Sequence, residues 1–278
     1  TTPYWVIIMR YDQPSLPNPH VDELSLDGVA RFIASEECKS IAVLSGAGIS
    51  AANDIPTYRG KGGLYQTLDA SRLTASPEER ASLATPEAVF SKELFMRNPL
   101  PCLEMKREFV LGVQAGKYSP TLFHRLVEAI AARTNKLVRI YDQNIDGLMH
   151  RCAKLPERII CNPHGRVDRA ACERCGFEVS FDDLCDHMRA RVRDISGADP
   201  AAPTVSEAMC CPHCGAPAVK PMSVLFGSPL ALEEPPESDD ALEHVDLLLI
   251  AGTSLQVAPI NGVPCFVPPH CVRVVLND

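Results

Sequence analysis

Positive charge is scarce in this chain. Lys and Arg number 27 against 35 Asp and Glu, a formal net charge of −8 over 278 residues, and an acidic chain lacks the electrostatic footprint of a duplex nucleic-acid binder. Long apolar runs are also missing: Trp5–Met9 and Leu247–Ala251 stop at five residues, where about 20 are needed to span a bilayer. No internal repeat recurs, which removes solenoids and arrays. The chain opens at Thr1 with no Met and no basic, apolar, small-residue leader, as expected of a trimmed end whose targeting information is gone.

What is present is ordinary globular material, 46% apolar and 22% charged, enough for one large domain or a large and a small one. The 12 cysteines invite a disulfide reading, but a chain of this length needs no staples. Four of them stand in two Cys-x-x-Cys-Gly units, which favours a metal and a reducing compartment.

Residues 1–20 carry Pro3, Pro14, Pro17 and Pro19 and read as an irregular arm. Leu24, Leu26, Val29, Phe32 and Ile33 then form a helical stripe leading into the apolar run 41–44, bounded by Gly46: a helix feeding a buried strand. Strand-like runs at 137–141, 158–161, 247–251 and 272–276 alternate with helical stretches at 86–97 and 121–133. This alternation predicts crossover units and a mostly parallel sheet covered on both faces. Residues 196–208 are small, polar and Pro-containing and read as a loop.

Three constellations carry chemistry. Ser45-Gly46-Ala47-Gly48-Ile49-Ser50 directly follows a strand, where glycines let the backbone turn tightly and approach a pyrophosphate; the third position is Ala51, and such a turn also occurs with no ligand. Cys172-Glu-Arg-Cys175-Gly176 and Cys211-Pro-His-Cys214-Gly215 are two knuckles with 35 residues between them, the pattern of a closed tetrahedral zinc site. Cys210 and His213 stand near enough to compete as ligands, and disulfides or free thiols are the alternative; Cys38, Cys152 and Cys265 read as small core residues. Asp142-Gln143-Asn144-Ile145-Asp146-Gly147 and Pro163-His164-Gly165 each follow a strand. Amides there suit a neutral carboxamide and His164 suits a base near neutral pH, although Asn144 and Asp146 alone also fit helix caps and His164 a turn.

Taken in order, Gly46-Ala-Gly-Ile-Ser50, Ile55-Pro56-x-Tyr58-Arg59-Gly60, Gln143-Asn-Ile-Asp146, His164-Gly165, the Cys pairs, Lys220-Pro221 through Gly227, Gly252-Thr-Ser-Leu-Gln-Val257-x-Pro259 and Asn277 resemble the sirtuins, NAD-dependent protein-lysine deacylases, over residues 26–278. Thr85-Pro-Glu-Ala-Val-Phe90 through Asn98-Pro99, with Val245-Asp-Leu-Leu-Leu249, is most similar to the eukaryotic class I branch. Desuccinylating members carry a Tyr-x-x-Arg pair shortly after that region; residues 100–109 contain no Tyr, which argues against an acidic acyl group.

The resemblance implies an α/β fold, a Rossmann-like parallel-sheet domain with a smaller zinc-binding plus helical module, enclosing a cleft for NAD and an extended acyl-lysine peptide. Its expected boundaries are an arm at 1–25 and a catalytic domain at 26–278, the core at about 26–60, 134–166 and 218–278, the helical part of the module at about 61–133 and the zinc ribbon at 167–217. Carried over, Gly46, Ala47, Gly48 and Ile49 line the dinucleotide, and Ile55, Pro56, Tyr58, Arg59 and Tyr65 belong to the cofactor loop. Gln143, Asn144 and Asp146 surround nicotinamide and its ribose. Gly252, Thr253, Ser254 and Asn277 hold phosphates and the adenosine ribose. His164 is the general base, with Asn144 and Asp146 completing the catalytic set. Val224, Leu225, Phe226 and Gly227 form the substrate strand, and Cys172, Cys175, Cys211 and Cys214 hold one structural zinc.

In the implied reaction the acyl oxygen of the bound lysine attacks the ribose as nicotinamide leaves, and His164 then deprotonates a ribose hydroxyl. NAD is consumed and no hydride moves. Mono-ADP-ribosyl transfer to protein and a weakly active NAD-binding silencing scaffold are the alternatives. The expected partners are acyl-lysine proteins or peptides, histones being one class, with no nucleic acid and no membrane, in the cytoplasm or nucleus. Departures from the family pattern are Asp54, Thr57, Tyr58, Asp142, Pro163, Ser228 and Leu225. Asp54 or Asp142 would repel a pyrophosphate unless turned to solvent, and Leu225, smaller than the usual Phe, would leave room for longer acyl chains.

Overall fold

The computed structural model describes residues 5–9, 25–53, 55, 68–83 and 85–277. Its strands are β1 (Trp5–Met9), β2 (Ile41–Ser45), β3 (Leu137–Asp142), β4 (Ile160–Cys161), β5 (Gly165–Cys172), β6 (Glu178–Val179), β7 (Val219–Ser223), β8 (Leu247–Ala251) and β9 (Val272–Asn277). The described α-helices are α1 (Leu26–Ala34), α2 (Pro77–Ser82), α3 (Lys92–Arg97), α4 (Leu100–Gln114), α5 (Leu122–Thr134), α6 (Phe181–Arg191) and α7 (Val263–Phe266). Ser25 starts α1: its hydroxyl accepts the Gly28 N–H at 3.1 Å, satisfying one donor that a helix start leaves free.

Six strands form one sheet in the order β1-β9-β8-β2-β3-β4. All neighbours are parallel except β1, which runs antiparallel along β9 with Trp5 opposite Asn277. β2 is buried at all five positions, as a central parallel strand must be. Ile41 and Val43 join one core with Phe32, Val127 and Ile130; Ala42 and Leu44 join another with Val245, Ile260 and Val263. The sheet is therefore covered on both faces, in agreement with the α/β expectation.

A second, three-stranded antiparallel sheet, β6-β5-β7, packs with α4 and α6 around a third core containing Phe95, Leu103, Leu184, Met188 and Leu225. β5 begins directly after His164 and ends at Cys172, so one strand runs from the large sheet's rim to the cysteine cluster. Among the described residues no helix is long and apolar enough to cross a membrane.

Local expectations fail in three places. Trp5–Met9, expected within an irregular arm, is an edge strand; the run lacks Pro and finds the open side of β9. The run 158–161 is mostly a 3₁₀ turn, Glu157–Ile159, with a two-residue strand after it. The stretch 86–97 is broken at Ser91, which is extended (φ −78°, ψ 143°) and whose hydroxyl accepts the Leu94 N–H at 3.2 Å to begin α3. Residues 196–208 hold neither helix nor strand, as expected.

Candidate active site

Parallel strands end on a common rim, where loops converge on ligands. β2 delivers Ser45 and Gly46, β3 leads into Gln143 through Asp146, β4 leads to His164, and β8 delivers Gly252 and Thr253. The first loop lies directly on the last: a Cβ on Gly46 would stand 2.7 Å from Thr253 Cβ, and one on Gly48 2.7 Å from Gly252 Cα. Glycine is required here for loop-on-loop packing as well as for ligand approach. Residues 47–53 form a 3₁₀ turn, with Ala47 and Gly48 exposed and Ile49 and Ser50 buried. Exposed backbone at a turn with no bulky side chain fits a phosphate-bearing ligand.

Asn144 and Asp146 are tied to this loop. Asn144 Nδ2 donates to the Gly46 carbonyl at 3.1 Å and to Ser50 Oγ at 3.2 Å, and the Ser50 hydroxyl donates to Asp146 Oδ2 at 2.7 Å. Asp146 Oδ1 accepts the Leu148 N–H at 2.9 Å. From behind, Asn162 Nδ2 donates to the carbonyls of Asp142 and Asn144, each at 3.3 Å. Gln143 Oε1 accepts the Thr253 hydroxyl at 2.9 Å, whereas its Nε2 is buried without a partner. Asn277 Nδ2 donates to the Thr253 carbonyl at 2.7 Å and so steadies that turn.

His164 is arranged as a base. Its Nδ1 lies 2.9 Å from the Gln143 carbonyl, and a carbonyl only accepts, so Nδ1 carries the proton and Nε2 the lone pair. Nε2 is buried with no partner. Burial pushes the imidazole pKa below its usual 6.5, only partly opposed by the Gln143 carbonyl, which keeps it neutral at neutral pH.

Asp142 settles one of the sequence questions. It is fully buried, not turned to solvent, and burial, reinforced by the Asp146 carboxylate, pushes its pKa from 3.8 up to about 8 against the opposing Ser45 hydroxyl and Asn144 N–H. Ser45 Oγ donates to Asp142 Oδ1 at 2.8 Å while Oδ2 has no partner. A protonated Asp142 adds no second negative charge beside a bound phosphate. Burial also raises Asp146.

Beside this rim a cleft of about 260 Å³ is lined by Phe90, Lys106, Ile145, His164, Val224 and Leu225, among others. Leu225 is buried in the third core. Residues 224–227 follow β7 without continuing it: the Val224 and Phe226 N–H groups donate to the His164 and Phe90 carbonyls at 2.8 and 2.9 Å, and among the described residues this segment forms a single bridge, Ser91 to Phe226. Gly227, at φ +90°, turns the chain away.

The four cysteines converge. The sulfurs of Cys172, Cys175, Cys211 and Cys214 all lie within 4.8 Å of one another, and Cys172–Cys214 and Cys175–Cys211 are each 3.7 Å apart. A tetrahedron with zinc–sulfur bonds of about 2.3 Å has edges of about 3.8 Å, so the cradle fits zinc. Gly176 and Gly215 close the knuckles at φ +74° and +70°. All four thiols are free of disulfides. Cys210 is outside the cluster, and His213 stacks on Phe177 at 5.4 Å instead.

Of the other expected site residues, Ile55 is half-buried against the third core and Ser254 is exposed; Pro56, Tyr58, Arg59 and Tyr65, with Asp54 and Thr57, lie outside the described residues. Sequence reasoning missed Ser50 and Asn162, which act through bonds to distant segments, and Lys106, whose burial on α4 carries no signal in the chain.

A profile of the Sir2 family matches residues 46–259. The chain is 32% identical to NAD-dependent protein deacetylase sirtuin-2 of Danio rerio over 92% of its length and 60% of that protein's. It is 33% identical to an NAD-dependent protein deacetylase of Trypanosoma brucei brucei, covering 95% and 67%, so it spans 60–67% of the length of these two relatives. A solved sirtuin structure concerned with substrate affinity superposes with a TM-score of 0.65 at 21% identity, covering 87% of this chain and 82% of that one. A Sir2 structure with a deacetylated peptide and 3′-O-acetyl ADP-ribose gives 0.63 at 21%, covering 86% and 81%. At that identity the likeness concerns the fold.

Proposed function

This chain belongs to the Sir2 family, and from that premise we propose that it is an NAD-dependent protein-lysine deacylase, moving the acyl group of an acyl-lysine protein or peptide to ADP-ribose with release of nicotinamide. The observation that carries this reading is His164: a neutral imidazole whose Nδ1 is fixed by the Gln143 carbonyl and whose Nε2 lone pair is buried without a partner in a cleft. An orphaned base facing a cleft marks a site built for a ligand.

When bound, NAD supplies a ribose carbon whose bond to nicotinamide gives way to the acyl oxygen. The turns at 46–49 and 252–254 would hold its phosphates, with Asn277 steadying Thr253. Asn144 and Asp146, locked by Gly46, Ser50 and the Leu148 N–H, would position the nicotinamide ribose and carboxamide, and Gln143 Nε2 offers a free donor there. His164 Nε2 would take the ribose hydroxyl proton. Residues 224–227 would bound the substrate. The four thiolates would hold a structural zinc at the far end of β5, whose eight residues extend roughly 25 Å at about 3.3 Å each. Four reduced thiols fit a cytoplasmic or nuclear setting, and acylated histones are one substrate class this reading admits.

A panel of acyl-lysine peptides incubated with labelled NAD and read by mass spectrometry tests the proposal. Free lysine peptide, nicotinamide and O-acyl-ADP-ribose in equal amounts are expected. Label on protein would replace it with mono-ADP-ribosyl transfer, and no nicotinamide release would leave an NAD-binding scaffold.

A further inference from the structure

His150 is a half-buried imidazole with no part in the proton transfer assigned to His164. It lies in the 3₁₀ turn Met149–Arg151, just past Asp146, and its Nε2 stands 2.6 Å from Asn162 Oδ1. Elimination assigns the proton on that contact. Asn162 Nδ2 faces the carbonyls of Asp142 and Asn144, and a carbonyl only accepts, so the amide nitrogen belongs on that side and Oδ1 turns to His150. An amide oxygen also only accepts. Nε2 of His150 therefore carries a hydrogen and donates it to Asn162.

The bond reaches the site through the backbone. Three consecutive carbonyls, those of Asp142, Gln143 and Asn144, are taken by side chains of the turn after β4: Asn162 takes the outer two and His164 Nδ1 the middle one. The segment carrying Asn144 and the turn carrying the base are thus laced together at three points. Both Asn162 donations are long, 3.3 Å each, whereas the bond from His150 is short, so His150 is what keeps the amide from swinging away.

We propose that His150 is a positioning residue: through Asn162 it sets where Asn144, which would hold the nicotinamide ribose, stands relative to His164, which would take the ribose proton. The proposal rests on the deacylase reading and adds a residue that touches neither substrate nor cofactor. His150 works as a donor and not as an acid or base. Its titrating nitrogen is Nδ1, which faces Glu157 Oε1 at 3.7 Å, with the Asp168 carboxylate and the opposing Arg166 guanidinium also in reach. Nε2 keeps its hydrogen in the neutral and the charged ring alike.

The test measures the single-turnover rate of deacylation and the peptide KM for one acetyl-lysine peptide with saturating NAD. His150→Leu should slow turnover roughly threefold to thirtyfold, because a misplacement of about 1 Å can cost a hundredfold, while the peptide KM, set at residues 224–227, stays within about twofold. His150→Gln can offer Asn162 an amide N–H and should recover most of the rate. Its pH profile should keep the wild-type acid midpoint, which belongs to His164. Asn162→Leu should slow turnover at least as much as His150→Leu, and the double variant should be no slower than Asn162→Leu alone, since the two residues act in series. Should Asn162→Leu fail to fold, the two His150 variants still decide. A wild-type rate in His150→Leu, no recovery in His150→Gln, additive losses in the double variant, or a shifted acid midpoint in His150→Gln would each overturn the assignment and leave the deacylase reading intact. A wild-type protein that turns over no acyl peptide would overturn both.

Discussion

Replacing Asp142 by Asn should make the protein's stability less sensitive to rising pH. The carboxyl is fully buried, has one oxygen without a partner, and faces the Asp146 carboxylate, which together move its pKa from 3.8 to about 8. The folded state thus keeps a proton that the unfolded chain has lost across the window between those values, and stability must fall as pH rises through it. One pKa unit corresponds to about 1.4 kcal/mol, so holding Asp142 protonated at pH 7 costs up to about 4 kcal/mol relative to pH 3. Asn keeps an acceptor for the Ser45 hydroxyl and the Asn144 N–H and removes the titration. Its Nδ2 introduces a buried donor whose cost does not depend on pH, so the diagnostic is the slope. Between pH 4 and pH 8 the stability difference should move by about 2–4 kcal/mol in the variant's favour, the share that belongs to Asp146 remaining in both proteins. Urea unfolding at half-unit pH intervals, with m unchanged, measures it. Parallel curves for the two proteins, or a difference moving the other way, would mean that Asp142 is ionised in the folded state and would refute the reasoning.

His164→Ala should lose deacylation by roughly 10²- to 10⁴-fold, the range for a lost general base, while exchange of labelled nicotinamide into NAD survives better, because that first step needs no proton removed; equal loss of both would place His164 earlier. Freshly purified protein should contain one zinc per chain by elemental analysis, and a strong chelator should lower the melting temperature, since a cluster of four thiolates is unfavourable without metal; a disulfide in either Cys pair would count against the site. Gly252→Ala should destabilise by about 2–4 kcal/mol by thermal unfolding: the residue sits at φ +61°, and its new Cβ would stand 2.4 Å from the Ile49 nitrogen, a backbone atom that cannot turn aside.

The sequence announces whatever depends on short range. Buried parallel strands appear as unbroken apolar runs, so β2, β3, β8 and β9 fall within a residue of where the pattern puts them, and the thiol cluster is legible because a knuckle is five residues long. Site residues directly behind strand ends are legible for the same reason. Function that depends on distant partners leaves no local mark. Ser50 and Asp146 are bonded across 96 positions, and Lys106 reaches Ser223 across 117. α4 hides its role further, because Glu104, Lys106 and Arg107 are all buried on it and the helical pattern of charge outside and grease inside breaks down. Glu104 is held by the Thr74 and Ser206 hydroxyls, each at 2.5 Å, another arrangement that only the folded chain assembles.

During synthesis the order of emergence matters. β8 in the middle of the large sheet waits for β9 on one side, β1 has its partner only once β9 exists, and the Thr253 turn is fastened by Asn277 in that same strand. The rim that carries Gly252 and Thr253 is thus left unfinished until β9 has been made. A nascent chain arrested before Val272 would expose the edge of β8, an apolar strand with a free row of backbone groups, and would have a natural claim on chaperones until β9 arrives.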